Sequence, residues 1–100
     1  MALDLTYELM APQVGAAFTT VLADGSTYSL VLEACTLVEA VPGLPRVQPF
    51  TLLFLGAAGG YLPQHTAHLH HDQLGELDVF IVPLGPRPGD GRQQYEAVFN

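Results

Sequence analysis

The chain has 100 residues, of which 49% are hydrophobic and only 13% are charged, which suits one β domain spanning residues 1–100 with a core of its own. Its formal net charge is −7, with three arginines and no lysine. This balance argues against binding to nucleic acid or to an anionic membrane, since both need clustered cations. No stretch resembles a signal peptide or approaches the roughly 18 apolar residues of a membrane-spanning helix, so we expect a cytoplasmic protein.

Short segments of alternating polarity, separated by turn residues, predict an all-β fold. Thr6–Met10 predicts a short helix with Thr6 as its N-cap. Strands are predicted over 17–23, 27–40, 49–55, 66–71, 76–84 and 92–100. We therefore expect a six-stranded, mainly antiparallel small barrel or sandwich with a short N-terminal helix. Hairpins should join the first strand to the second, the fourth to the fifth and the fifth to the sixth.

Three local features qualify this pattern. The apolar phase changes after Leu32, which predicts a β-bulge near Glu33–Thr36. The proline-rich segment 41–48 predicts a loop. The glycine-rich segment Gly56–Gly60 lacks the motif of a phosphate-binding loop, and we interpret it as a mobile connector.

Four histidines cluster between His65 and His71. In a strand, His68 and His70 would project from the same face, about 6.5–7 Å apart, and could share a metal ion. A third ligand would have to come from elsewhere, since zinc and iron sites need at least three convergent side chains. A solvated polar face explains the same pattern, and both interpretations remain open.

Two predicted strands are apolar on both faces, which a half-solvated antiparallel sheet does not require. Leu53 and Leu55 lie opposite the core face of one strand, and Phe80 and Val82 lie opposite the core face of the other. These four side chains are either covered within the monomer or form an interface with another chain. The lone Cys35 lacks the basic surroundings that activate a thiol, and no catalytic residues are predicted.

Several segments resemble a family of small, uncharacterised bacterial domains: LDLTYE at 3–8, PFTLLF at 49–54 and YEAVFN at 95–100. The family is a domain of unknown function, so the resemblance implies no activity. It implies a setting, because such proteins are often encoded beside phage-tail-collar-like proteins. The family pattern has charged residues in place of His68 and His70 but a histidine like His71, which favours a structural hydrogen bond from His71 within the Asp72–Gly75 turn.

These observations predict a non-enzymatic structural or protein-binding module with no cofactor. Its partner would be itself, as a homo-oligomer, or another protein of an assembly. The resemblance places that assembly in a phage-tail-like or fibre-like complex, of which the chain would be a component or an assembly accessory. The alternative function is a metal- or small-ligand-binding β-barrel that uses the His65–His71 segment.

Overall fold

The structure, a computed structural model, describes residues 5–39, 43 and 48–99. The described strands form a closed barrel in the order β1-β2-β3-β6-β5-β4, and each neighbouring pair is antiparallel. The elements are helix α1 (Tyr7–Met10), β1 (Ala17–Val21), β2 (Thr27–Leu37), β3 (Phe50–Ala58), β4 (His65–His71), β5 (Gly75–Pro86) and β6 (Arg92–Phe99). This architecture confirms the predicted all-β barrel, its N-terminal helix and the three hairpins.

Helix α1 begins as the sequence predicts. The side-chain oxygen of Thr6 accepts a hydrogen bond from the Leu9 N–H at 3.1 Å, which satisfies one of the free donors at a helix start. A 3₁₀ turn, Ala11–Gln13, then continues the helix, with Pro12 in its first turn. Met10 is fully buried in the barrel core, so this short helix belongs to the packed structure.

The strands alternate between the barrel core and the outer surface, as a pleated backbone requires. Phe18 and Phe54 meet edge to face inside the barrel, with ring centroids 5.6 Å apart. Phe50 and Phe99 stack at 4.7 Å. The other large, fully buried side chains include Leu30, Leu32, Leu52, Leu69, Leu77, Ile81 and Tyr95.

The alternation of buried and exposed residues changes phase along β2 and β5, and the pairing with the neighbouring strand shifts register at these places. A register shift between Leu32 and Ala34 confirms the bulge predicted from the sequence. Another lies between Pro83 and Gly85, where the missing N–H of proline is tolerated. The Asn100 end of the last predicted strand, and most of the loop predicted over 41–48, lie outside the described residues.

The glycine-rich segment differs from its prediction as a mobile connector. Gly56 belongs to β3 and is buried, because the ring of Tyr28 packs directly against it. A Cβ on Gly56 would overlap the Tyr28 hydroxyl oxygen, and one on Gly60 would lie 2.7 Å from Cε2 of the same ring. The two glycines therefore leave room for a tyrosine that closes this end of the barrel.

Candidate functional site

Outward-facing apolar residues of β3, β6 and β5 lie around Glu96 on one side of the barrel, and we call this surface the outer apolar face. Strand β6 pairs Val98 with Thr51 and Glu96 with Leu53 of β3, and it pairs Glu96 with Val82 of β5. Phe80 lies two residues before Val82 in β5 and therefore projects from the same outer face. The face is defined by Leu53, Phe80, Val82 and Val98.

The four residues of this face differ in exposure. Phe80 is 51% exposed and Val98 is 53% exposed, whereas Leu53 and Val82 are half-buried. Adjacent large apolar side chains this exposed are typical of interaction surfaces. Three of the four were predicted from the sequence, and Val98 was missed, because a single valine in a polar-apolar strand gives no signal of its own.

Leu55 does not belong to this surface, in contrast to its sequence-based grouping with the interface residues. Its side chain is 1% exposed, so the monomer itself covers it. Arg92 reaches across this end of β3 and donates hydrogen bonds to the backbone carbonyls of Leu55, at 3.3 Å, and of Gly56, at 2.9 Å. Leu55 is therefore unavailable to a partner.

His68 and His70 lie on one outer face of β4, as their spacing predicts. Carboxylate groups of β5 contact both imidazole rings, and one of them lies between the two rings. His68 contacts Asp78 through Nδ1 at 2.8 Å and Glu76 through Nε2 at 3.2 Å. His70 contacts the other oxygen of Glu76 through Nδ1 at 3.3 Å. The β4–β5 register places His68 opposite Asp78 and His70 opposite Glu76, which explains this alternating chain of imidazoles and carboxylates.

The contacts of His68 determine its preferred protonation state. Both ring nitrogens face carboxylate oxygens, which only accept hydrogen bonds, so both contacts are satisfied when the ring is a doubly protonated imidazolium. The hydrogen bond that His68 donates to Asp78, helped by the charges of Asp78 and Glu76, accordingly raises the pKa of His68 above its usual value.

An open groove of about 370 Å³ adjoins this cluster on the side of β1. Thr19, Thr20 and Val21 of β1 line one wall, and His68, His70 and Glu76 line the other. The groove lies where β1 and β4 meet, at the closure of the barrel.

The described residues do not complete a metal site. Across residues 5–39, 43 and 48–99, no three histidine, cysteine, aspartate or glutamate side chains are grouped so as to hold a metal ion. His68 and His70 share a face, but the intervening contacts are ion pairs with carboxylates on the neighbouring strand.

The other two histidines of the segment have structural roles. His71 is 5% exposed, and its Nδ1 accepts hydrogen bonds from the N–H groups of Gln73 and Leu74, each at 3.1 Å. This confirms the predicted bond in the turn after β4. His65 contacts the carbonyl oxygen of Pro63 through Nδ1 at 2.6 Å.

Comparison with known proteins gives a family and no activity. The model of the family described as "Domain of unknown function (DUF6916)" matches residues 5–99, which is nearly the whole chain. The chain belongs to this family. No curated protein and no solved structure matches it significantly.

Membership of DUF6916 confirms the resemblance to a small domain of unknown function and leaves function to be argued from the surface of the barrel. In the part of the chain that the structure describes, no helix is long and apolar enough to cross a membrane. The surface offers two distinct features, the outer apolar face on β3, β5 and β6 and the groove between β1 and β4.

Proposed function

We propose that this DUF6916 domain is a non-enzymatic binding module that associates with a second copy of itself through the outer apolar face. The observation that carries the proposal is the exposure of Phe80 and Val98 on adjacent strands, 51% and 53% respectively. The half-buried Leu53 and Val82 continue the same surface. A closed barrel has no need of apolar side chains on its outside, because its core is already filled.

Charge supports a second copy as the occupant. The chain has a net charge of −7, so two copies repel each other wherever their acidic surfaces meet. The face carries the half-buried Glu96, which is paired with both Leu53 and Val82, and its other side chains are uncharged: Thr51, Leu53, Phe80, Val82 and Val98. Two copies that meet on this face bring one carboxylate each, so the repulsion between them is confined there to the two Glu96 side chains.

The setting of this association comes from the sequence resemblance. Related domains are encoded beside phage-tail-collar-like proteins, which favours a component or assembly accessory of a phage-tail-like or fibre-like complex. Small symmetric modules that pack through apolar faces suit such an assembly. This part of the proposal rests on the resemblance alone, and the outer apolar face supports only the association.

Size-exclusion chromatography with light scattering over a range of protein concentrations tests the proposal. We expect a mass above that of one chain, and we expect Phe80→Glu to return the protein to a monomer with an unchanged far-ultraviolet circular dichroism spectrum. Tyr61→Glu is the matched control, because Tyr61 is also an exposed aromatic residue, 63% exposed, but lies outside the face. A monomer at every concentration, or equal effects of the two substitutions, would overturn the proposal.

A further inference from the structure

Glu96 is the charged residue that the outer apolar face carries, and the strands on both sides of it contribute uncharged side chains. It is half-buried on β6, where it pairs with Leu53 of β3 and with Val82 of β5. The residues two positions away from these three along each strand are also uncharged: Thr51, Leu55, Gln94, Val98, Phe80 and Leu84. Within the described strands β3, β5 and β6, no titratable group therefore faces the Glu96 carboxylate.

Neither arginine that the structure describes neutralises Glu96. Arg92 lies four residues earlier on the same strand, about 13 Å away along an extended backbone, and its guanidinium donates hydrogen bonds to backbone carbonyls of β3. Arg87 pairs with a carboxylate of β2 and with one in its own loop. No ion pair among the described residues includes Glu96. Its carboxylate therefore depends on solvent water for stabilisation in the single chain.

Self-association through the outer apolar face removes that water, whatever the relative rotation of the two copies. The opposing surface is the same face, whose side chains are uncharged apart from the second Glu96. Each carboxylate therefore meets either apolar groups or another carboxylate. Both surroundings disfavour its ionised form, the first by desolvation and the second by repulsion between like charges.

We infer that pH controls the self-association of this domain through Glu96, because each copy takes up a proton at this carboxyl group when the pair forms. The inference rests on the proposed function, since it concerns the same face. Protonated, the carboxyl group is neutral and can donate a hydrogen bond, so its burial between the copies costs much less. Ionised, Glu96 weakens the association, as charges placed among exposed apolar residues do in other proteins.

The direction of the pH dependence follows from proton uptake. A pair that binds more protons than two single chains becomes more stable as pH falls. Unperturbed glutamate side chains titrate at about 4.3, so the effect lies on the acid side of neutrality. The four histidines lie on β4, outside the face, and their protonation lowers the negative charge of the chain over part of the same range. The contribution of net charge therefore has to be measured separately.

Sedimentation velocity of the wild-type protein over a range of concentrations, at about pH 7.5 and at about pH 5.5, tests the inference. We expect the dissociation constant of the pair to be several-fold smaller at the lower pH. Glu96→Gln places a neutral side chain of the same shape in the face. At the higher pH it should associate several-fold more tightly than the wild type, and it should lose most of the pH dependence.

Glu8→Gln is the matched control, because it removes the same charge from an exposed position on helix α1, outside the face. It should keep the wild-type pH dependence and change the dissociation constant little at either pH. The pH dependence that remains in Glu96→Gln measures the contribution of the histidines and of net charge. Circular dichroism spectra at both pH values check that each variant is folded.

The possible outcomes separate this inference from the proposed function. Single chains at every concentration and at both pH values, in the wild type and in Glu96→Gln, would overturn both. A pair whose pH dependence is the same in the wild type and in Glu96→Gln would overturn only the control by Glu96, and so would equal effects of Glu96→Gln and Glu8→Gln. Weaker association of Glu96→Gln would show that the ionised carboxylate stabilises the pair, contrary to the inference.

Discussion

The hydroxyl oxygen of Tyr28 lies 3.1 Å from that of Tyr95, at the end of the barrel that the glycine-rich segment covers. Tyr95 is fully buried, and its hydroxyl oxygen also accepts a hydrogen bond from the Leu62 N–H at 2.9 Å. Removal from water, reinforced by the hydrogen bond to Tyr28, raises the pKa of Tyr95. The pair therefore ties strands β2 and β6 to the segment that leads into β4.

Removal of the Tyr95 hydroxyl group should destabilise the protein more than removal of the Tyr28 hydroxyl group. Tyr95→Phe leaves the buried Leu62 N–H without an acceptor, at a cost of about 1–3 kcal/mol, whereas Tyr28→Phe removes one neutral hydrogen bond, at about 0.5–1.5 kcal/mol. Urea unfolding measures both. Tyr61→Phe, at an exposed position, is the control and should be neutral. Equal costs for the two buried tyrosines would contradict the role of Leu62.

Gly56→Ala should destabilise the protein through its clash with Tyr28 rather than through backbone strain. The new methyl group would overlap the tyrosine hydroxyl oxygen, and overpacking of this kind costs about 1–3 kcal/mol. Introducing Tyr28→Leu first should relieve most of this penalty, so a double-mutant cycle by urea unfolding should show strong coupling. If Gly56→Ala were equally costly in both backgrounds, the steric explanation would fail.

Much of the fold was predictable because its signals are local. The N-cap Thr6, the bulge after Leu32 and the turn that follows His71 each depend on residues near one another in sequence, and the structure confirms all three. The role of Gly56 depends on Tyr28, 28 residues earlier in the chain. Sequence alone does not distinguish a glycine that makes room for a distant aromatic ring from a glycine that makes a loop flexible.

In the candidate sites, too, the features that depend on residues near one another in sequence were predictable, and those that depend on distant residues were not. The shared face of His68 and His70 follows from the period of a strand, but their carboxylate partners follow from the register of the β4–β5 hairpin. The predicted turn at 72–75 could have indicated that register and paired His68 with Asp78. Burial of Leu55 could not be found in this way, because its position opposite Gln94 depends on the pairing of β3 with the last strand, which is distant in sequence.

The titration of His68 should show the effect of its two carboxylate neighbours. Because its pKa is raised, the ion pairs stabilise the folded state fully below the ordinary histidine pKa of about 6.5, and this contribution is lost as pH rises through the folded-state pKa. Proton NMR should give a midpoint above 6.5, and Asp78→Asn should lower it. Asp24→Asn, in the turn between β1 and β2, should leave it unchanged. A midpoint that Asp78→Asn does not move would refute the assignment of Asp78 as the main cause.

The imidazole of His71 should stabilise the turn after β4 as a hydrogen-bond acceptor. His71→Phe keeps an aromatic ring against Phe18, which lies 4.7 Å away between ring centroids, but leaves the N–H groups of Gln73 and Leu74 without their acceptor. We expect a loss of about 1 kcal/mol in the free energy of unfolding, together with faster hydrogen exchange at these two amides. His70→Phe is the matched control, since His70 faces outward on the same strand, and it should leave their exchange unchanged. Because a change in packing alone would not single out the amides of Gln73 and Leu74, unchanged exchange in His71→Phe would show that the imidazole acts only by filling space.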